Sequence, residues 1–389
     1  MSPSPGLFDQ IVSFENLWRA ARKAQRGKRF HDDVASFNLN LEKEILRLRQ
    51  ELVIGSYKPG SYRQFYVREK EVRLISAAPY RDRVVHHAVM NFLEPLLCRS
   101  FIHDSYANQK WKGSHRAVKR FQGFLRASRY VLKCDIRKYF HSIDHEILLG
   151  QVARRVKDER AVALVRLIVE TSPPQEPVYD YFPGDDLFAP CHRKKGLPIG
   201  NLTSQFFANL YLDGFDHFVK ERLFCRRHVR YVDDFAVCGD DKDALWAIRD
   251  KMEEYLETTV RLKLHPIKTR IYRADEGITF LGYRVWPDRI RLERLNVVRF
   301  RRRLKRMQRE YSEGTMGLDD VKQRIAGWLG HAIQADTVAL RRQIFNSAVF
   351  TRGRARTEPC PARRVVEQQS REPARVQPEQ EQPGEQEQQ

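Results

Sequence analysis

Apolar residues recur at helical spacing in two early stretches of the chain. Phe14, Leu17, Trp18 and Ala21 mark one amphipathic face, and Leu41, Ile45 and Leu48 mark a second after Asn40. Asp82 to Leu97 predicts a further helix, with Val85, Val89 and Phe92 on one side. The period then shortens. Tyr130-Val131-Leu132-Lys133-Cys134 fits a short buried strand, and Val229 to Cys238 has two apolar arms around an Asp-Asp tip, the pattern of a hairpin. Ser172 to Lys195 carries five prolines and reads as a loop-rich insertion. Near the end, Val297, Phe300, Leu304, Met307 and Tyr311 form a helical stripe. The other faces of that helix carry Arg299, Arg301, Arg302, Arg303, Lys305, Arg306 and Arg309, with no acid among them.

Beyond Thr351 the pattern vanishes into Pro, Gln, Glu and Arg. Such a segment buries too little apolar surface to offset its ordering entropy, so residues 351–389 are expected to be a disordered tail. From Arg352 onward there are seven Arg and seven Glu, so the whole formal charge of +20 belongs to the preceding part. A folded region with that surplus suits a polyanionic partner, and nucleic acid is the leading one. At 389 residues the chain has room for two or three domains and a real core. Its six cysteines, Cys98, Cys134, Cys191, Cys225, Cys238 and Cys360, include no CxxC pair. Neither a disulfide framework nor a structural zinc site is expected, and Cys225 with His228 reads as an ordinary pair of residues. No apolar run approaches a membrane span and no secretory signal is visible, so a cytoplasmic location is expected.

The chemistry concentrates at Tyr231-Val232-Asp233-Asp234. Adjacent carboxylates between apolar arms repel and bury poorly, and a divalent cation with hard oxygen ligands, such as Mg²⁺, removes that cost. A polar turn would carry the same residues, so the tetrapeptide alone decides little. Asp135, at the end of the predicted strand Tyr130–Cys134, is a third carboxylate able to complete a two-metal cluster for in-line phosphoryl transfer. Asp144 stands at an expected helix start and is read as a cap. His86 and His87, on the helix after Arg81-Asp82-Arg83, are read as packing residues.

In order along the chain stand a strand-Asp with an aromatic five residues later, Gly196-Leu197-Pro198-Ile199-Gly200 with Ser204, the Tyr-x-Asp-Asp motif, Lys268, and Phe280-Leu281-Gly282-Tyr283. This set resembles the polymerase domain of reverse transcriptases from about Lys70 to about Leu340. VRLISAAPYRDRVVHHAV, FIHDSYANQKWKGSH and KGLPIGNLTSQFFANLYL look like the enzymes of diversity-generating retroelements, in which Ser-Gln stands where related enzymes have Ser-Pro; Ser204-Gln205 and the aliphatic Ile199 fit that variant.

The resemblance implies an α+β right-hand polymerase fold. An N-terminal extension and the fingers would occupy 1–129, an antiparallel-sheet palm 130–286 with a fingers or loop insertion at about 151–194, and a helical thumb 287–350. It implies RNA-directed DNA synthesis with two Mg²⁺ ions, for which Mn²⁺ can substitute, held by Asp135, Asp233 and Asp234. Lys268 would neutralise the departing pyrophosphate. Lys70 and Arg73 would reach the triphosphate, and Phe140 would lie beneath the sugar and exclude a 2′-hydroxyl. Ile199, Gly200 and Gln205 would line the template–nucleotide pocket, where an aliphatic Ile199 suggests loose geometric policing and error-prone copying. Phe280, Leu281, Gly282 and Tyr283 would grip the primer. Expected partners are a template RNA, a DNA or RNA primer, dNTPs and a small basic accessory protein. Another bacterial reverse transcriptase (retron, group II-like or defence-associated) and a non-catalytic RNA-binding scaffold are the alternatives.

Overall fold

The computed structural model describes residues 6–68 and 72–352; the expected tail beyond Arg352 and Lys70 lie outside these residues. Strands β1 (Arg63–Arg68) and β2 (Val72–Ala77) form a hairpin. Strands β3 (Tyr130–Cys134), β4 (His228–Tyr231), β5 (Asp234–Gly239) and β6 (Arg270–Arg273) make an antiparallel sheet in the order β4-β5-β3-β6. A smaller sheet joins β7 (Ile278–Phe280), β8 (Tyr283–Val285) and β9 (Ile290–Leu292) in sequence order.

Side-chain alternation along the central sheet explains its place between two cores. Leu132 and Cys134 on β3, with Phe235 and Val237 on β5, face the largest core. There they meet Phe206, Phe207 and Phe215, as well as Met252 and Leu256 of the helix Lys242–Thr259. Val131, Val229, Ala236 and Cys238 point the other way. They meet Phe121 of the helix Ser114–Arg126 and the inner face of the small sheet, Phe280, Tyr283 and Val285. The large core continues into the N-terminal helices. There the buried Asn16 ties Phe14–Ala24 to Tyr80–Leu97 by donating from Nδ2 to the carbonyls of Ile11 (2.7 Å) and Ala88 (3.0 Å). The cationic helix extends from Arg294 to Ser312 and buries Phe300, Leu304 and Met307. The Phe300 ring stacks on Trp328 of the helix Leu318–Ala332 at 3.8 Å.

The expected insertion at about 151–194 is loop-rich only in its second half. Glu159–Glu170 is a helix whose Ala161, Leu164, Val165, Ile168 and Val169 belong to the large core. Its start was readable, because Asp158 accepts hydrogen bonds from the amides of Arg160 and Ala161, both at 3.1 Å. Asp144 does the same at 145–155, accepting from Glu146 N at 2.9 Å and Ile147 N at 3.3 Å, as expected of a cap. His86 is buried and burial lowers its pKa to about 3, in keeping with packing. No helix among the described residues is long and apolar enough to cross a membrane.

Candidate active site

Three carboxylates meet at one end of the central sheet. Cys134 pairs with Phe235, so Asp135, the next residue after β3, lies across from Asp234, the first residue of β5. Asp233 occupies the two-residue loop closed by the Tyr231–Asp234 pair. Burial raises Asp233 to about 6; the Asp135 charge adds to the rise, while Arg73 and Lys268 oppose it. Burial likewise raises Asp234 to about 7, opposed by Lys133 and reinforced by Asp233 and Asp135. Two lysines partly offset the crowding. Lys268 Nζ lies 2.8 Å from Asp135 Oδ2, and Lys133 Nζ lies 3.5 Å from Asp234 Oδ1.

Among the described residues no three His, Cys, Asp or Glu side chains already stand as a metal-holding group. The donor chemistry nevertheless fits a divalent cation. Asp234 Oδ1 is buried with only the 3.5 Å ion pair to Lys133 and no well-formed hydrogen bond, and three mutually repelling carboxylates share one sheet end. A cation of hard-oxygen preference relieves both.

What holds the carboxylate turn is a residue that motif reading passed over. Val232 has φ +59°, a conformation that a β-branched side chain rarely adopts and that costs roughly 1–3 kcal/mol. Its carbonyl accepts a hydrogen bond from Arg230 Nη1 at 2.9 Å. Arg230 is fully buried. Its guanidinium also donates to both oxygens of buried Asp216, at 2.6 to 2.9 Å, and to Asn209 Oδ1 at 2.9 Å. His228 Nε2 completes the network, 2.9 Å from Asp216 Oδ1, so it partners a carboxylate and not Cys225. The signal was an Arg in the first arm of the acid-tipped hairpin, between Val229 and Tyr231, a residue type almost never buried unless paired.

The β1–β2 hairpin joins this centre through the Gly-Leu-Pro-x-Gly segment. Ser76 N donates to Ile199 O at 2.9 Å, and Asn201 Nδ2 donates to Ser76 O at 3.1 Å. Gly200 has φ +119°, and a Cβ there would come within 2.8 Å of Ile75 Cγ2, so the close approach needs glycine. Exposed Arg73 on β2 falls within the electrostatic reach of Asp233. Half-buried Phe140 lies in the short helix Tyr139–Ser142, its carbonyl accepting from Leu197 N at 2.7 Å, next to the same segment. Gln205 is exposed near the start of Leu202–Tyr211, and its carbonyl accepts from Asn108 Nδ2 at 2.9 Å. Phe280 to Tyr283 forms the β7–β8 turn, with Phe280 and Tyr283 buried in the second core. It adjoins the cationic helix, where Asn296 Nδ2 donates to Gly282 O at 3.0 Å.

A carboxylate-tipped antiparallel sheet, flanked by a Gly-rich turn and a basic helix, is the equipment of a nucleotide-polymerising enzyme. Residues 58–285 match the family described as "Reverse transcriptase (RNA-dependent DNA polymerase)", and the chain belongs to that family. Members copy RNA into DNA with the help of divalent metal ions, and the mixed helical and antiparallel fold bears out the expected α+β polymerase architecture. Among curated relatives, Protein YkfC of Escherichia coli is 25% identical over 66% of this chain and 74% of its own length. The group II intron-encoded protein LtrA of Lactococcus lactis is 22% identical over 70% of this chain. The match takes in only 54% of LtrA, so the chain spans about half of that relative. Among solved structures, apo telomerase from Candida tropicalis aligns with a TM-score of 0.45 at 12% identity, over 64% of this chain and 53% of that one.

Proposed function

We propose that this chain performs error-prone cDNA synthesis from a template-repeat RNA in a diversity-generating retroelement. The convergence of Asp135, Asp233 and Asp234 on one sheet end carries the catalytic part of this reading. Ile199 followed by Ser204-Gln205 carries the diversification part. Residues 1–129 act as fingers, 130–286 as palm and 287–350 as thumb, with the cationic helix following the duplex through its phosphates.

Asp135, Asp233 and Asp234 would hold two Mg²⁺ ions, or Mn²⁺ in their place, which supply activation of the primer hydroxyl and charge stabilisation at the leaving oxygen. The chain's own side chains do the rest. Arg73, and Lys70 beyond the described residues, receive the triphosphate through charge-assisted hydrogen bonds. Lys268 exchanges its bond to Asp135 for the departing pyrophosphate and lends it a proton or a charge. Phe140 excludes a 2′-hydroxyl from the sugar site. Phe280, Leu281, Gly282 and Tyr283 hold the primer end. A small basic accessory protein helps retain the template.

Primer extension with Mg²⁺ on poly(rA)·oligo(dT) tests the enzyme. Extension that disappears in Asp233→Asn supports it, whereas RNA binding with no extension by the parent chain leaves only a scaffold. Sequencing the cDNA made by Ile199→Gln tests the error-prone part, and an unchanged misincorporation spectrum removes it.

A further inference from the structure

The loop between Tyr80–Leu97 and Ser114–Arg126 holds a large ring in solvent. Trp111 is 84% exposed and has φ +64°, a left-handed backbone that a bulky residue rarely adopts. Exposure forfeits the burial of a large apolar surface, and the conformation adds strain. Neither cost relaxes, because the loop is pinned from inside. Lys112 Nζ donates to three carbonyls, Ile102 O (3.3 Å), His103 O (2.8 Å) and Ser105 O (2.8 Å). Gly113 N closes the loop on Tyr106 O at 3.0 Å, and Gln109 Nε2 binds Ser105 O at 2.9 Å. The ring is therefore presented by a preorganised frame.

Around it the surface is cationic. Lys110, Arg116 and Lys119 are exposed and make no ion pair among the described residues. Arg120 and Lys112 are engaged, with Asp104 and with the loop carbonyls respectively. The positive charge reaches the helix Phe14–Ala24, where burial and then Lys110 lower the pKa of Lys23, Glu94 opposes them, and Arg19 and Arg26 add to the lowering. The loop is also fastened to the pocket, because Asn108 Nδ2 binds the carbonyl of Gln205 at 2.9 Å.

A flat apolar face ringed by unpaired cations matches one chemistry, an unpaired nucleobase on a phosphate backbone. We infer that Trp111 is a stacking platform for the single-stranded template RNA just outside the catalytic pocket, with Lys110, Arg116 and Lys119 on its phosphates. The identification of the strand as template rests on the polymerase reading; the binding itself does not.

The test is equilibrium binding by the full-length chain, read by fluorescence anisotropy with labelled oligo(rA), oligo(dA) and a blunt RNA–DNA duplex. Trp111→Ala weakens oligo(rA) about tenfold and leaves the blunt duplex within about twofold, while Trp111→Phe keeps most of the affinity. Lys110→Glu with Lys119→Glu, which leaves the ring in place, also weakens oligo(rA) and reduces the salt slope by about two. An equal loss on oligo(dA) supports a platform that stacks either sugar type. Three results overturn the inference. One is oligo(rA) binding by Trp111→Ala within about twofold of the parent, and another is an equal loss on the blunt duplex. The third is unchanged nucleic-acid binding with an altered oligomeric state, which would mark a protein contact. The readout is binding, so a chain that extends no primer would defeat the polymerase reading without deciding this one.

Discussion

Two hairpins with two-residue loops close on either side of the second core, and they keep their shape by different means. In the β4–β5 turn the left-handed position is Val232, and in the β7–β8 turn Leu281 and Gly282 have φ +48° and +84°. The second turn is held locally. Gly282 O accepts from Glu293 N at 3.1 Å and Asn296 Nδ2 at 3.0 Å, and a Cβ on Gly282 would itself lie 3.0 Å from that nitrogen. The first turn carries Asp233 and Asp234, the carboxylates proposed to hold the metal ions, and has no glycine. Its shape comes instead from Arg230, reaching out of a buried ion pair to the Val232 carbonyl. Where the tip of a turn can be glycine, a neighbouring helix suffices to hold it; where carboxylates occupy the turn, the support moves beneath it.

The sharpest way to break this contrast is at the carboxylates. Asp233→Asn, with nearly unchanged volume, should lower primer extension by at least about a thousandfold, since several kcal/mol of charge stabilisation are lost. Comparable extension by the variant and the parent would remove the catalytic role of the first turn. Next comes the support. Arg230→Ala leaves Asp216 buried without its guanidinium partner, and should cost about 3–5 kcal/mol in urea unfolding. Arg230→Lys should retain more of the fold than of the extension rate, because one ammonium cannot span Asp216, Asn209 and Val232 together. Parallel losses of both would reduce Arg230 to a purely structural residue. In the second turn, Gly282→Ala should cost only about 1–3 kcal/mol, with the loss of extension concentrated in primer affinity.

The smallest effect is a pH dependence specific to the first turn. Burial raises folded Asp233 and Asp234 to about 6 and about 7, against 3.8 ordinarily, so between those limits the folded chain binds more protons than the unfolded one. Their contribution to stability therefore falls as pH rises from about 4 to about 7, and stays low above that. Added Mg²⁺ should raise the melting temperature more at pH 8 than at pH 5, and Asp234→Asn should abolish most of the difference. Equal Mg²⁺ effects at the two pH values would show that the ion binds elsewhere.

Much of this architecture was legible because it is local. The strand Tyr130–Cys134 and the helix Leu41–Ile54 carry their period in a few consecutive residues, and the acid-tipped hairpin carries its arms and turn together. The less legible parts depend on distant partners. The helix Ser114–Arg126 is strongly basic, and its Ala117, Val118 and Phe121 acquire meaning only against the small sheet. Motif order pointed to the three aspartates, but nothing in it exposed Arg230 and Asp216. Their pairing is a property of the buried space beneath the turn.

The central claim is that Asp135 and Asp233, far apart in the chain, belong to a single divalent-cation site. Mn²⁺ binding to the full-length chain, followed by electron paramagnetic resonance, addresses it without requiring catalysis. Asp135→Asn and Asp233→Asn should each weaken the same bound population by about tenfold or more, as expected when a shared carboxylate ligand is lost. Parental Mn²⁺ affinity in Asp135→Asn, alongside lost binding in Asp233→Asn, would contradict the shared site.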